Sequence, residues 1–191
     1  NSVVVGIAAR MNPVKDMATL VRGFAAGHAK CPRLRLLIAG DGPEKDKLTA
    51  LAAELGVERQ VCFAGWGSDT DSLYHAIDIN TLPSLSETFP SSLTEGARAA
   101  LPTIASRVGG VPYLIEHGVH GLLFEAGDAD TLARHLITLA KDPTLRQHLG
   151  ERLYQRGRED FSLESTLERQ LNIYETILRR QSRKKGRRDG A

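Results

Sequence analysis

Short apolar runs alternate along the chain with longer segments in which apolar residues recur every three or four positions. The short runs are rich in valine, isoleucine and leucine, which is typical of strands buried on both faces of a parallel sheet. The predicted strands cover residues 3–9, 34–39, 60–64, 77–82, 103–106 and 121–124. Because helical segments separate them, the pattern predicts an α/β fold, with a Rossmann-like, doubly wound parallel sheet of about six strands and flanking helices.

The predicted helices start at residues that suit a helix start. Asp16 and Asp128 are plausible N-caps, and Pro90 suits the first helical position because its missing N–H costs nothing there. The helix after Pro90 should end near Ala100, since the residue before Pro102 is pushed out of the α region. Further helices are predicted near 44–55 and 71–76, and two amphipathic ones over 144–158 and 163–178.

Composition narrows the class of protein. With 191 residues, 41% of them hydrophobic, the chain is one medium-sized domain or two very small ones. It has no run of 18 apolar residues, no signal-peptide pattern and no initiating methionine, and it opens inside a strand, which suggests a piece of a longer protein. Two cysteines without metal spacing fit a reducing, cytoplasmic setting, with Cys62 expected to be buried in its strand.

Basic charge is concentrated at the end of the chain. Residues 179–191 hold seven of the 25 lysines and arginines and one of the 23 acidic residues, so the remainder has 18 basic and 22 acidic residues. The distribution predicts a folded domain over residues 1–178 and a disordered basic tail over 179–191, with contact to anionic lipid or RNA as the alternative role of that tail. A nucleic-acid-binding surface is not expected, because the basic residues lie outside the predicted fold.

The stretch from residue 82 to 102 carries the strongest candidate chemistry. Its loop holds Glu87 and its helix holds Glu95, and the free N–H groups around Ser91 and Ser92 form an anion site with the helix dipole. Carboxylates accept hydrogen bonds and suit sugar diols. The sequence therefore predicts a sugar, a diphosphate and a ribose along one strand–loop–helix unit; two surface acids on an ordinary connection are the alternative.

Arg10 and Lys15 follow the first predicted strand, where ligands of open α/β sheets bind. Two cations there can neutralise a diphosphate leaving group; two solvated loop charges are the alternative interpretation of this pair.

The glycine-rich turn at 40–43 lacks the spacing of a dinucleotide or P-loop motif, which disfavours a Rossmann dehydrogenase. None of the six histidines has metal-ligand spacing, and His117 and His120 are expected at the surface.

Five motifs, in order, resemble those of the retaining glycosyltransferases of family 4, specifically the C-terminal domain of their GT-B fold. Residues 86–106 resemble the family's E-x7-E region, from S-E-T-F-P to L-P-T-I-A-S. The other motifs are G-I-A-A-R at 6–10 with Lys15, L-I-A-G-D-G-P-E at 37–44, V-C-F-A-G at 61–65, and the pair V-G-G-V-P at 108–112 and G-V-H-G-L-L-F at 118–124. The resemblance reaches to about residue 178, and it implies that residues 1–178 form a nucleotide-sugar (donor) binding domain.

The resemblance implies transfer of a sugar from a nucleotide-diphosphate sugar, with retention of configuration and without a metal or other cofactor. It implies catalytic roles for Arg10, Lys15 and Glu87: the two cations hold the diphosphate and Glu87 receives the sugar hydroxyls. It places the ribose diol on Glu95. Trp66 could flank the nucleobase, or else pack at an edge of the domain.

The resemblance also implies that the backbone N–H groups of Phe89 and Ser91 bind the phosphate or the sugar. The family often has glycine after the first glutamate, where this chain has Thr88, and Pro90 removes one N–H group from the same cradle. These departures put the sugar preference in doubt. Where the family often has an acid, after the proline of V-G-G-V-P, this chain has Tyr113.

The acceptor implied by the resemblance is a glycan or a lipid-linked glycan, bound through an N-terminal domain that is absent from this chain. The expected location is the cytoplasm, with the inner membrane face as an alternative. The other function class is a nucleotide-sugar-binding or partner module without catalysis; the intact set of Arg10, Lys15, Glu87 and Glu95 disfavours it.

Overall fold

The computed structural model describes residues 2–67 and 69–188, with side chains as far as Arg179, and these residues contain six strands. The strands are β1 Val3–Ala8, β2 Leu34–Ala39, β3 Val61–Gly65, β4 Ile79–Leu82, β5 Thr103–Ser106 and β6 Leu122–Phe124. All pair in parallel, in the order β3-β2-β1-β4-β5-β6. The strand order reverses between β1 and β4, and a ligand crevice forms at such a switch point, beyond the carboxyl ends of the strands.

Helices flank the sheet, which confirms the predicted doubly wound fold. They are α1 Met17–Lys30, α2 Lys45–Glu54, α3 Thr70–His75, α4 Ser91–Arg98, α5 Val111–Leu114 and α6 Ala129–Lys141, with a 3-10 turn at Pro13–Lys15; α7 Pro143–Asp160 and α8 Leu163–Arg188 follow along the chain. The predicted caps are confirmed: the Asp16 carboxylate accepts a hydrogen bond from Thr19 N, and Asp128 accepts one from Thr131 N. Two compact units cover residues 1–155 and 156–191; the domain boundary predicted after residue 178 stays a prediction.

The two faces of β1 belong to different apolar clusters. Val5 and Ile7 are fully buried in the main core, together with side chains of α1 and α6 such as Phe24 and Leu136. The intervening residues on the opposite face, including Ala8, pack in a smaller cluster around Tyr74 of α3. Burial on both faces explains why this strand is a continuous apolar run rather than an alternating one.

Helix α4 differs slightly from its prediction. Pro90 is the N-cap rather than the first helical residue, with extended backbone angles (φ −75°, ψ 120°). The helix ends at Arg98 instead of Ala100, because Ala100 takes a left-handed conformation (φ 53°) and Leu101 N turns back to bond Gly96 O. That early end agrees with the exclusion of Leu101, the residue before proline, from the α region.

Two burial predictions are wrong. Cys62 is exposed, because β3 lies at the edge of the sheet and alternate side chains of an edge strand face solvent. His120 is buried rather than at the surface, since the turn after α5 brings its Nδ1 to accept a hydrogen bond from Glu116 N at 3.4 Å. His117 is exposed, as expected.

Helix α8 continues through Arg188, so most of the segment predicted to be a disordered tail is helical; residues 189–191 lie outside the described part. The reason is that Arg, Lys and Gln favour helix and no proline interrupts them. The apolar side predicted for this helix is exposed at Leu167, Leu171 and Leu178. Within the described residues, no helix combines the length and apolarity needed to cross a bilayer.

His135 of α6 predicts a pH dependence of stability. Burial lowers the pKa of His135 below 6.5, and its Nε2 lies 3.1 Å from the Leu123 carbonyl oxygen, which selects the tautomer with hydrogen on Nε2. Below about pH 6.5 the unfolded chain takes up a proton that the native ring resists, so stability should fall as the pH falls. Melting curves between pH 7.5 and 5.5 should show this fall reduced in His135→Gln, which can still donate to Leu123 O. Identical pH slopes in both proteins would contradict the assignment.

Candidate functional site

A cavity of about 580 Å³ lies at the carboxyl edge of the sheet, on the β1 side of the switch point. Its wall combines the ends of β1, β2 and β3 with the first turns of α3 and α4. The lining residues are Ala8, Ala9, Ala39, Gly40, Ala64, Gly65, Trp66, Gly67, Asp69, Thr70, Ser72, Leu73, Ser91 and Glu95. Three residues predicted from the sequence, Trp66, Ser91 and Glu95, therefore meet in one cavity although they come from different elements.

Trp66 follows β3 directly and is 79% exposed while lining the cavity. That exposure leaves the indole face open to the cavity. An exposed aromatic face beside a cavity can stack on a planar ring such as a nucleobase.

The first turn of α4 offers backbone N–H groups to the cavity. Among the described residues no side chain caps this helix, because its N-cap is Pro90, which has no polar side chain. The N–H groups of the first turn of a helix have no acceptor within the helix, and the dipole adds a partial positive charge there. Ser91 thus stands at a position that suits an anionic group.

Glu95 lies one turn further along α4 and is partly buried. Its Oε2 accepts a hydrogen bond from the Tyr74 hydroxyl at 2.9 Å. Burial, and after it the charge of Glu95, raises the pKa of Tyr74, so the tyrosine keeps its proton. Tyr74 was missed by sequence reasoning because a lone aromatic on a short helix carries no signal that separates it from a core residue.

Lys15 and Glu87 are already paired across two loops. Lys15 Nζ lies 2.5 Å from Glu87 Oε1, and the two side chains are only 22% and 9% exposed. The buried Ser84 hydroxyl donates to the same Glu87 oxygen at 2.7 Å. The loops are also tied by Leu85 N, which donates to Val14 O at 2.8 Å. An ion pair this shielded from water is screened less by salt than a surface pair.

Local structure fixes Lys15 at the end of the 3-10 turn, where the Asn12 side chain accepts a hydrogen bond from Lys15 N at 3.2 Å. Neither Asn12 nor Ser84 was predicted as a site residue. The signal for Asn12 was present in the sequence, since asparagine followed by proline favours a turn start. Ser84 could not be identified, because its hydrogen bond to Glu87 becomes apparent only in the fold.

The two adjacent glycines after β5 support the Glu87 loop. A Cβ on Gly109 would lie 1.7 Å from Glu87 O, and one on Gly110 would lie 1.9 Å from Thr88 O. Gly110 N also donates to Glu87 O at 3.1 Å. The glycine pair therefore lies directly against the backbone of the site loop.

The remaining predicted residues lie around the same edge. Arg10 comes two residues after β1, is exposed, and forms no salt bridge with any residue that the structure describes. Thr88 and Phe89 are exposed on the loop, and Pro90 is buried. The cavity lining itself includes neither Lys15 nor Glu87, so the structure shows a cavity with a neighbouring ion pair.

No group of three or more histidine, cysteine, aspartate or glutamate side chains that could hold a metal occurs within residues 2–67 and 69–179. The positive charge near the site comes from Arg10 and Lys15 together with the α4 terminus. Such a set suits an anion whose charge is shared between side chains and backbone.

Comparison with known proteins shows a match of residues 1–156 to the family described as glycosyl transferases group 1. The chain is 35% identical over 166 residues to an N-acetyl-alpha-D-glucosaminyl L-malate synthase of Bacillus anthracis, which covers 87% of this chain and 43% of that protein. It is 32% identical over 159 residues to the lipopolysaccharide core biosynthesis glycosyltransferase LpsE of Rhizobium meliloti, over 83% of this chain and 46% of that protein.

Among solved structures, Anabaena Alr3699/HepE in complex with UDP superposes with a TM-score of 0.83 at 28% identity, over 93% of this chain and 49% of that chain. The same protein with UDP-glucose gives a TM-score of 0.82. The sheet with its flanking helices matches the Rossmann-like half of a GT-B glycosyltransferase. The chain spans slightly less than half the length of these relatives.

Proposed function

The chain belongs to the glycosyl transferases group 1 family, and we propose that it is the donor-binding half of a retaining glycosyltransferase. In this proposal it binds a nucleotide-diphosphate sugar, and together with a second domain it transfers the sugar to an acceptor with retention of configuration. The observation that carries the proposal is the meeting of Trp66, Ser91 and Glu95 in one cavity at the topological switch point.

The nucleoside occupies the cavity. Trp66 stacks on the base, and the Glu95 carboxylate accepts hydrogen bonds from the ribose hydroxyls, since an ionised carboxylate is acceptor-only and suits a diol. A uridine nucleotide is the first candidate because the HepE relative is solved with UDP and with UDP-glucose.

The diphosphate lies against the α4 terminus, with Arg10 and Lys15 supplying positive charge and the N–H groups of Phe89 and Ser91 supplying donors. The sugar lies beside Glu87, which accepts its hydroxyl hydrogens. When the glycosidic bond breaks, negative charge grows on the leaving phosphate oxygens. Cations and N–H groups that are already in place stabilise this charge without reorganisation.

Arg10 and Lys15 take the role that a divalent cation has in many phosphate sites, so donor binding should persist in EDTA. The Lys15–Glu87 pair supports this, because it holds the lysine in place before ligand arrives. In the donor complex Lys15 would share its charge between Glu87 and the diphosphate, while Ser84 continues to hold the carboxylate.

A glycan or lipid-linked glycan is the acceptor class that we propose, bound through a further domain; the name of the LpsE relative supports it. A cytoplasmic site of action and contact of the basic segment 179–191 with anionic lipid belong to the same proposal. Cosedimentation with anionic vesicles should be lost when the chain is ended at Leu178; equal sedimentation would exclude that role of the segment.

The test of donor binding is calorimetry in EDTA with UDP, UDP-glucose, ADP and GDP. Glu95→Ala should weaken binding of the preferred nucleotide about tenfold or more, as expected for loss of hydrogen bonds to a charged group. Glu58→Ala, which removes an exposed carboxylate between α2 and β3, is the matched control and should bind as the wild type does. Absence of binding by a folded chain would favour the non-catalytic partner module, whereas equal binding by the Glu95 variant would contradict the ribose role of Glu95.

A further inference from the structure

Tyr74 contacts Glu95 from behind the proposed nucleotide cavity. It is only 4% exposed, and its hydroxyl donates its one hydrogen to the nearer acceptor, Glu95 Oε2 at 2.9 Å, with Ser92 O further away at 3.3 Å. Glu95 lines the nucleotide cavity, but Tyr74 does not. Both line a second cavity of about 540 Å³ on α3 and α4, so Glu95 belongs to the walls of both cavities.

The backbone of the first turns of α4 is held independently of Tyr74. The fully buried Asn80 of β4 donates from Nδ2 to Ser92 O at 3.3 Å. Gly96 lets the helix approach the sheet at this point, since a Cβ there would lie 2.4 Å from Asn80 Nδ2. The sheet therefore fixes the helix, whereas the only hydrogen bond to the Glu95 carboxylate from a described residue comes from Tyr74.

We propose that Tyr74 is a positioning residue that fixes the Glu95 carboxylate so that its second oxygen faces the ribose hydroxyls. The inference rests on the proposed function, in which Glu95 binds the ribose. A glutamate side chain has three rotatable bonds, and ordering it costs conformational entropy. A donor that holds one carboxylate oxygen before the nucleotide arrives reduces the part of this cost that falls on binding.

The chemistry of Tyr74 suits the task. A tyrosine hydroxyl is a donor to a carboxylate, and burial keeps it protonated because its pKa is raised. A cation in this place would instead withdraw charge from the carboxylate and weaken it as an acceptor for hydroxyl groups. A neutral donor orients Glu95 and leaves its negative charge for the ligand.

The alternative role of Tyr74 is packing alone, because its ring belongs to a small buried cluster with Ile77 and Leu101. Tyr74→Phe separates the two roles, since phenylalanine keeps the ring and removes only the hydroxyl. A packing role predicts no change specific to the ribose, whereas a positioning role predicts a loss confined to ligands that carry ribose hydroxyls.

The experiment measures the affinity of the whole chain for UDP and for 2′,3′-dideoxyuridine diphosphate by calorimetry. The wild-type chain should prefer UDP, and Tyr74→Phe should reduce that preference about fivefold or more, with the affinity for the dideoxy nucleotide unchanged. Melting curves of both proteins confirm that the variant is folded. In the Glu95→Ala background, Tyr74→Phe should have no further effect on the preference.

Thr81→Val is the matched control, because it removes another buried hydroxyl, which donates to Gly6 O at 2.8 Å. It should leave the preference between the two nucleotides as in the wild type. Equal weakening of both nucleotides by Tyr74→Phe, or no change in preference, would overturn the positioning role while donor binding stands. A wild-type chain that binds none of UDP, ADP and GDP would overturn the proposed function itself, and this inference with it.

Discussion

Lys15→Ala should weaken UDP binding about 50-fold, because two effects act in the same direction. The variant loses the ammonium group that we propose contacts the diphosphate, and it leaves the Glu87 carboxylate, which is 9% exposed, without its cation. An uncompensated carboxylate that is shielded from water repels an approaching anion more than an exposed one. Calorimetric titration with UDP measures the loss directly.

Two further variants separate the effects. Lys15→Ala combined with Glu87→Gln removes the uncompensated charge as well, and should recover part of the affinity for UDP. Lys47→Ala is the control, since Lys47 also pairs with a glutamate, at 2.8 Å, but is exposed on α2. It should bind UDP as the wild type does. Unchanged affinity in Lys15→Ala would contradict the role of this lysine at the diphosphate.

Gly109→Ala should cost about 3 kcal/mol of unfolding free energy. This is the sum of the penalty for an alanine in the left-handed conformation and the cost of an overpacked contact. Gly109 has a φ of 47°, and an added Cβ would lie 1.7 Å from Glu87 O. Because that neighbour is backbone rather than the end of a flexible side chain, the Glu87 loop must move. The melting temperature should fall by about 6–12 °C for a chain of this size.

The same variant should lose affinity for UDP-glucose more than for UDP, because the displaced loop carries the proposed sugar ligand Glu87. Gly127→Ala is the control for conformation: its φ is 82° and no atom lies within 4 Å of the added Cβ. It should cost only about 1 kcal/mol, the left-handed penalty alone. Equal melting temperatures for the two variants would show that the loop yields without cost.

Most of the fold could be predicted from the sequence because its determinants are local. The apolar run at residues 3–9 encodes a strand buried on both faces, and Asp16 and Asp128 mark helix starts by side chains that bond the nearby backbone. The errors also have local causes: Cys62 looks like a core residue when the position of its strand in the sheet is unknown. Sheet order depends on contacts far apart in sequence, which a local pattern does not contain.

Some features of the candidate site could likewise be predicted from the sequence, and others could not. The sequence by itself determined which residue types stand at the carboxyl ends of the strands, among them Lys15, Glu87 and Glu95, because motif spacing is a property of the chain. Only the tertiary structure decided which groups these charged side chains pair with. Lys15 pairs with Glu87, 72 residues away in the sequence, and Tyr74 donates a hydrogen bond to Glu95, 21 residues away. Gly109 supports the loop of Glu87 through a backbone contact. Hydrogen bonds and close contacts of this kind depend on distances of a few tenths of an ångström, which packing of the sheet and helices sets and no spacing in the sequence records.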